Sequence, residues 1–447
     1  MDSSVWTTQT KRSLRDLLLA NTLNYVFDTA NPFEAVMVDT CITSAVKNKP
    51  AADNLVRFMD GRKNLSQPEC LIVAQSVYLN TQNSVIFKPS ALNMRIYELY
   101  GEKVKALYDK WWDKIKTSRD IEKNKRELEE YRASLKPGDV ALLGCLTEGG
   151  QGLATANNGK YIAVRSTTKW ADNIRMSRPK KLADFLARTP KAITAEMYRY
   201  PSYAAFLQSL SEAEIAGLFD SLKEQYGRDI FGQGYLYKIV DDCEIANVDS
   251  LTDDEKENGI ETTKPYYVPY DKGDKDGNRW YLETPFAIAW SKENVRFLKT
   301  NSGKKGEGMP VVRNPQFYFR EGFCWIDVNS TYLKARIKAN GVFDVLSMSL
   351  FTMTNLPDWY YVALINSEFI SLYVDNFINN TSHFQINDAR QLPIIIPQKE
   401  TFESLQKLVT GCISLKKATT TDNFLMGEKQ YELDRLVRSL YGVEDFY

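Results

Sequence analysis

The run from Glu102 to Leu135 restricts most sharply how this chain can fold. Val104, Leu107, Tyr108, Trp111, Trp112 and Ile115 recur there at helical spacing, and Ile121, Leu128 and Tyr131 continue the pattern among lysines and glutamates. That spacing gathers the apolar side chains on one face of a helix and leaves the charges on the other. Pro137-Gly138 ends the run, because proline breaks the helical hydrogen-bond ladder. Residues 96–138 are therefore expected to form a helical arm or spacer of one or two helices. Its apolar stripe, tryptophans included, docks on a neighbouring domain.

The arm separates two regions. Before it, residues 1–95 read as α/β: Ser13–Leu18 is helix-like, Leu23–Phe27 and Val36–Val46 look like buried strands, and Ala30-Asn31-Pro32-Phe33 makes the turn between them. The segment is too short to be an open parallel sheet and reads as the last part of one. After the arm, a strand is expected at Val140–Leu146, leading into the glycine-rich turn sequence EGGQGLATANNGKYIAV. Ser211 and Glu214 form a capping box for a helix through Ile215, Leu218, Phe219 and Leu222. Tyr235–Val240 reads as a strand and Asp249–Thr262 as an acidic surface loop. Phe317–Phe319 and Phe323–Ile326 are short aromatic segments set between basic turns such as Asn301–Gly306. Pro357 opens a helix reaching Phe377, and Leu392–Ile396 is a short apolar strand. Residues 398–447 carry two helices, the second stopped by Gly442. The fold class is mixed α/β, of the α+β kind.

Within the second region, Tyr266–Trp290 sets a charged, glycine-broken turn (Asp271–Arg279) between aromatic flanks. Charges and bare backbone need water or a polar partner, so the turn is expected to face outward and present cations to a large polar ligand. A plain solvated hairpin loop is the other reading.

Charge and rare residues narrow the chemistry. The net charge is zero, which argues against a wholly basic nucleic-acid binder, but the charges come in blocks. Gly152–Tyr200 holds ten Lys/Arg against three Asp/Glu, Val295–Asn340 nine against three, and Pro201–Thr262 four against fourteen. Such alternation suits a basic cleft with an acidic back, or simply solvated faces. The one histidine, His383, lies in a polar stretch and leaves no room for a multi-histidine metal site; an unrelated hydrolase is disfavoured with it. Six cysteines without CxxC spacing point to a reduced, cytoplasmic setting without structural zinc. No run of eighteen apolar residues is present, so no membrane partner is expected.

Three short motifs compete for a catalytic role. Asp229-Ile230-Phe231-Gly232-Gln233-Gly234 has the look of a glycine loop for S-adenosylmethionine, but it follows a helix instead of a strand. Asn314-Pro315-Gln316-Phe317 is one residue away from the NPPF tetrapeptide of amino-methyltransferases. Asn31-Pro32-Phe33-Glu34 reads better as a turn. None of the three carries the chemistry in its sequence context, and the glycine-lysine at Gly159-Lys160 is followed by Tyr161, which excludes a Walker A loop.

The stretch LRDLLLANTLNYVFDTANPFEAVMVDTCITSAV resembles the end of the catalytic domain in the γ-type N6-adenine DNA methyltransferases, including type IIG restriction–modification and related phage-defence enzymes. Leu14, Arg15, Phe33, Glu34, Val38, Asp39, Thr40 and Ile42 carry the likeness. EGGQGLATANNGKYI is similar to the entry of that family's target-recognition domain through Gly152, Thr155, Asn158 and Tyr161, with Ala156 and Asn157 as a variation. PYDKGDKDGNRWY and WYYVALINSEFISLYVDN…LPIIIP resemble later parts of a TaqI-like specificity domain, and ELDRLVRSLYG its closing helix. The resemblance implies that residues 1–95 are the C-terminal remnant of a Rossmann-like methyltransferase sheet. It makes 96–138 the arm, 139–397 the target-recognition domain and 398–447 closing helices. In the family the cofactor loop and catalytic tetrapeptide precede all of these, so the chain is expected to lack catalytic, cofactor and metal residues of its own. S-adenosylmethionine belongs to the parent enzymes.

On that reading the chain recognises double-stranded DNA. Lys160, Arg165, Lys272, Lys275, Lys304, Lys305, Arg313, Arg320 and Arg336 are expected to neutralise phosphates. Gln151, Asn157, Asn158 and Arg279 are candidates for base edges, since Asn, Gln and Arg present paired groups to adenine and guanine. In the plainer alternative the asparagines shape turns and Arg279 stacks on Trp280. A separate methyltransferase chain is the expected partner; a protein-interaction scaffold or specificity subunit is the alternative function.

Overall fold

Helix α1 (Arg12–Leu19) turns a charged residue inward. Arg15 is fully buried, with Nη1 donating to Val5 O and Thr8 O, both at 2.8 Å, and Nε to Asn83 O at 3.0 Å. These carbonyls supply the acceptors that burial would otherwise remove, and burial still pushes the guanidinium down to about 10. The chain is seen here as a computed structural model that describes residues 1–33, 38–116, 121–227, 230–232, 237–274, 277–328, 332–338, 340–418 and 423–446. Glu34 of the Asn31–Glu34 motif, Val36 of the expected second strand, and Lys275 of the charged turn lie outside the described residues.

The first sheet is four-stranded and mixed. It comprises β1 (Thr22–Ala30), β2 (Thr40–Val46), β3 (Leu55–Asp60) and β4 (Glu69–Ala74), in the order β2-β1-β3-β4. Only β1 and β3 run parallel. One face is core: Val26, Cys41, Val56, Phe58 and Val73 are buried. The other is apolar and uncovered. Ile42, Phe27, Met59 and Cys70 align across it in register, and Arg57 and Ile72 pair in the next row. Ile42, Leu55 and Ile72 are 49%, 59% and 63% exposed.

The arm forms as its periodicity predicts, with α2 (Glu102–Lys116) and α3 (Ile121–Ser134). Val104, Tyr108, Trp111 and Trp112 are buried, and the Trp111 and Tyr131 rings meet at 4.7 Å, which clasps the two helices together. The strand after the arm is shorter than expected: β5 (Val140–Leu142) gives way to a helical turn at Leu143–Leu146.

Two further sheets follow. β6 (Thr147–Gly150) belongs to one; β7 (Ile162–Arg165) belongs to the other. Helices α4 (Lys169–Arg188) and α5 (Glu212–Tyr226) pack on each other through Leu182, Leu186, Phe219 and Leu222, and the Ser211–Glu214 capping box opens α5 as read. β8 (Lys238–Val240), β9 (Tyr267–Asp271) and β10 (Phe286–Ala289) extend the β7 sheet, and α6 (Lys292–Thr300) lies against it through Val295 and Leu298. β11 (Gly322–Trp325), β12 (Ala335–Lys338), β13 (Val342–Phe343) and β14 (Met348–Thr352) finish both sheets, in the orders β13-β9-β10-β7-β8 and β12-β11-β14-β6. The expected acidic loop holds a capped helical turn, Asp253–Asn258, because Thr252 and Glu255 reciprocate as a capping box. Phe317–Phe319 is no strand: Pro315–Phe317 turns as a 3-10 helix.

The helix expected from Pro357 to Phe377 is two, α7 (Asp358–Ile365) and α8 (Glu368–Phe377), because Ser367 accepts from Ile370 N–H and starts a new helix. α7 is buried on nearly every side, and α9 (Lys399–Lys417) and α10 (Asn423–Leu440) close around it. A single apolar core joins the first sheet, the arm and these helices; a second fills the β7–β10 sheet and α6. Among the described residues no helix is long and apolar enough to cross a membrane.

Candidate nucleic-acid interface

The floor of the candidate interface is built from charge. β9 ends at Asp271, and β12 carries Arg336 and Lys338 two residues apart, hence on one face of the strand. Arg336 Nη1 and Nη2 donate to Asp271 Oδ2 and Oδ1 at 2.8 and 2.9 Å, and both side chains are 6% exposed. Burial alone would raise the Asp271 carboxyl; the guanidinium, helped by Lys338 and the Gly273 N–H, holds it well below the usual carboxylate range. Lys338 is fully buried, 5.0 and 5.4 Å from the Phe343 and Phe351 ring centres, and burial lowers its ammonium pKa. On the other side of β9, Tyr270 donates to Asp344 Oδ2 at 2.8 Å with Leu153 O at 3.2 Å. The knot ties β9 to β12 and to the glycine-rich segment.

Two expectations are corrected by this knot. Asp271 does not open a solvent-facing turn, and Arg336 does not await a phosphate: each satisfies the other in the interior. None of the turn's described residues is fully exposed, and Trp280 is 1% exposed.

Above the floor, the glycine-rich segment meets the loop that follows α6. Ala154 and Val311 exchange backbone hydrogen bonds at 3.0 and 2.9 Å. Asn314 Nδ2 donates to Gln151 O at 2.8 Å, and Lys160 Nζ sits 5.1 Å from the Phe297 ring of α6. The approach is so close at Gly152 that an added Cβ would lie 1.9 Å from Phe343 O, which demands glycine there. Asn157 caps the helical turn Asn158–Tyr161 by accepting from Lys160 N–H at 3.3 Å, and Asn158 Oδ1 accepts from Thr155 Oγ1 at 2.6 Å. Lys304 Nζ donates to Asn301 Oδ1 at 3.0 Å. Gln151, Asn157, Asn158, Lys160, Lys304, Lys305 and Arg313 are thus carried on two segments in direct contact, with Gln151, Lys160, Lys304 and Lys305 exposed.

The remaining candidates are placed elsewhere. Arg165 bridges Asp242 at 3.0 Å and Glu283 at 2.7 Å, so its charge is already met by two carboxylates. Arg279 neither stacks on an open Trp280 nor reaches outward. Its Nη2 donates to Asn366 O at the junction of α7 and α8, and burial lowers its pKa. Arg320 Nη2 donates to Thr352 O and braces β14 beneath the Phe317 ring. Lys272 Nζ lies 5.8 Å from the Tyr237 ring. His383 Nδ1 is 3.0 Å from Asp327 Oδ2 at the surface.

Neither catalytic look-alike has the geometry of its namesake. Phe231 stacks on Phe219 at 4.0 Å in the packing of α4 and α5, so the described part of the glycine segment opens no helix toward a cofactor; Asp229, Gln233 and Gly234 lie outside the described residues. In Asn314-Pro315-Gln316-Phe317, the Asn314 amide is engaged by Gln151 and Phe317 is buried, stacked on Phe351 at 4.6 Å. The sequence reading missed the grouping of Trp290, Tyr318 and Phe319 beside this motif, where Trp290 meets the other two rings edge-on at 6.0 and 5.6 Å. The aromatic density of both stretches was the only signal for it.

No protein-family model matches the chain. Over 143 residues it is 25% identical to an adenine-specific methyltransferase, BrxX of Escherichia coli O9:H4 (strain HS); the match covers 31% of this chain and 11% of that protein. The chain spans about a tenth of the length of the curated relative it matches. The similarity relates the chain to an adenine-specific methyltransferase.

Proposed function

We propose that the chain is the part of an adenine-methyltransferase system that reads double-stranded DNA, as in restriction–modification or phage defence, and that methyl transfer is supplied by catalytic motifs outside it. The observation that carries this reading is the contact between the glycine-rich segment and the loop after α6. It joins the segment that carries Gln151, Asn157, Asn158 and Lys160 to the loop that carries Lys304, Lys305 and Arg313. Exposed lysines release counterions from phosphates, and amides read adenine edges. The similarity to an adenine-specific methyltransferase gives the DNA partner its context. A gel-shift titration with a duplex of arbitrary sequence is expected to give binding at about 50 mM salt that weakens at least tenfold by about 200 mM. The folded chain failing to bind at low salt contradicts the reading, as does methyl transfer by the chain alone.

A second surface favours a partner protein. The outer face of the first sheet exposes Ile42, Leu55 and Ile72 beside Phe27 and Met59. An exposed apolar patch of this kind marks an interaction site. We assign it to the separate methyltransferase chain. The double variant Ile42→Asp/Ile72→Asp is expected to keep its melting temperature and DNA binding while losing most of its capture by that chain. Undiminished capture places the contact elsewhere.

A further inference from the structure

A pocket of about 380 Å³ opens between α6 and residues 310–319, lined by Leu153, Trp290, Val312, Gln316, Tyr318 and Phe319. We propose that it takes a single unstacked nucleobase.

The walls select for a flat ring. Trp290 borders the pocket from the core side, 3% exposed and with its one polar atom already used, since Nε1 donates to Lys256 O at 3.0 Å, so the open ring surface is that of the half-buried Tyr318 and Phe319. Phe319 and Tyr318 stand edge-on to it, at 70° and 79°. Aromatic walls stack on the π-face of any base. The rim is polar in a way that an aliphatic ligand would waste. Gln316 is exposed and offers an amide donor and acceptor, and Asp253 and Glu257 can accept from an exocyclic amine.

The loop is tied to the pocket wall at Arg313, whose backbone carbonyl accepts from Tyr318 O–H at 3.0 Å. At the rim Lys299 lies 3.7 Å from Glu257, so these two charges meet each other.

The inference rests in part on the proposed DNA interface, because Leu153 belongs to the glycine-rich segment and Val312 and Gln316 to the loop it meets. A base extruded from a duplex lying there enters a ready pocket. The same chemistry would also accept a free nucleotide.

The test uses the full chain and three probes: a duplex with one bulged 2-aminopurine nucleotide, the fully paired duplex, and free 2-aminopurine nucleoside monophosphate. The bulged duplex is expected to bind about tenfold or more tighter than the paired one, with its fluorescence quenched by stacking. Val312→Trp, which fills the pocket, is expected to erase that preference and Gln316→Ala, at an exposed position, to weaken it, each read as the ratio of bulged to paired affinity. Saturable quenching of the monophosphate without duplex binding keeps the pocket, identifies free nucleotide as its source and defeats the DNA reading. Paired-duplex binding without preference for the bulge, and with no response to the monophosphate, overturns the pocket and leaves the DNA reading standing.

Discussion

Asp271→Ala is expected to lower folding stability by about 3–5 kcal/mol, the cost of stranding a buried charge when its partner is removed. Arg336 is 5% exposed and makes its two charge-assisted bonds to this one carboxylate. Lys338, fully buried two residues along β12, would lose the largest of the interactions that favour its ammonium. Three elements therefore loosen together: β9, β12 and, through Tyr270 and Asp344, the glycine-rich segment at Leu153. Asp271→Leu combined with Arg336→Met removes both paired charges and is expected to recover the part of the loss due to Arg336 but not that due to Lys338, because a buried ion pair is often replaceable by apolar side chains of similar volume. Urea denaturation of the wild type and the two variants checks this. A loss below about 1 kcal/mol for Asp271→Ala, within the range of exposed ion pairs, contradicts it.

The second large effect is a pH dependence centred on Asp358. This residue opens α7, is 6% exposed, and accepts from Thr352 N–H at 2.9 Å. Burial pushes its carboxyl up to about 7, and that hydrogen bond only partly offsets the rise. An acid whose folded pKa lies above its unfolded value near 3.9 binds a proton on folding between the two. Stability then falls as pH rises from about 4 to 7 and levels off above, by up to about 4 kcal/mol in all. Asp358→Asn keeps the acceptor for Thr352 and removes the titration. Subtracting its denaturation free energies from those of the wild type at pH 5 and pH 8 is expected to expose this slope. Parallel curves for the two proteins contradict the assignment.

Much of the architecture was legible in local pattern, and the failures share one physical cause. The arm could be read because Val104, Tyr108, Trp111 and Trp112 repeat at helical spacing and all are buried. The Ser211–Glu214 box and the two closing helices were likewise written within a few residues. Arg336 was misread because its partner Asp271 is 65 residues away, and no local pattern marks two charges that neutralise each other. The same holds for Arg279, whose acceptor on Asn366 lies 87 residues on. β3 and β4 escaped notice because one face of their sheet is apolar where alternation would place polar residues. At the candidate interface, the reading found the cations and amides. It did not find that Ala154–Val311 pairing would bring two of its segments together, or that Trp290, Tyr318 and Phe319 would meet beside them.

The central claim is that DNA lies on that junction. Lys160, Lys304 and Lys305 are exposed there, on the glycine-rich segment and the loop after α6, so they can be reversed without touching the buried knot. The decisive measurement is the slope of log affinity against log salt for a duplex, compared between the wild type and the triple variant Lys160→Glu/Lys304→Glu/Lys305→Glu. Loss of three phosphate contacts is expected to reduce the slope's magnitude by about 2.7, at about 0.9 per contact, with affinity at low salt falling on the order of a hundredfold. Identical slopes for two proteins of equal thermal stability would place the DNA elsewhere and contradict the account.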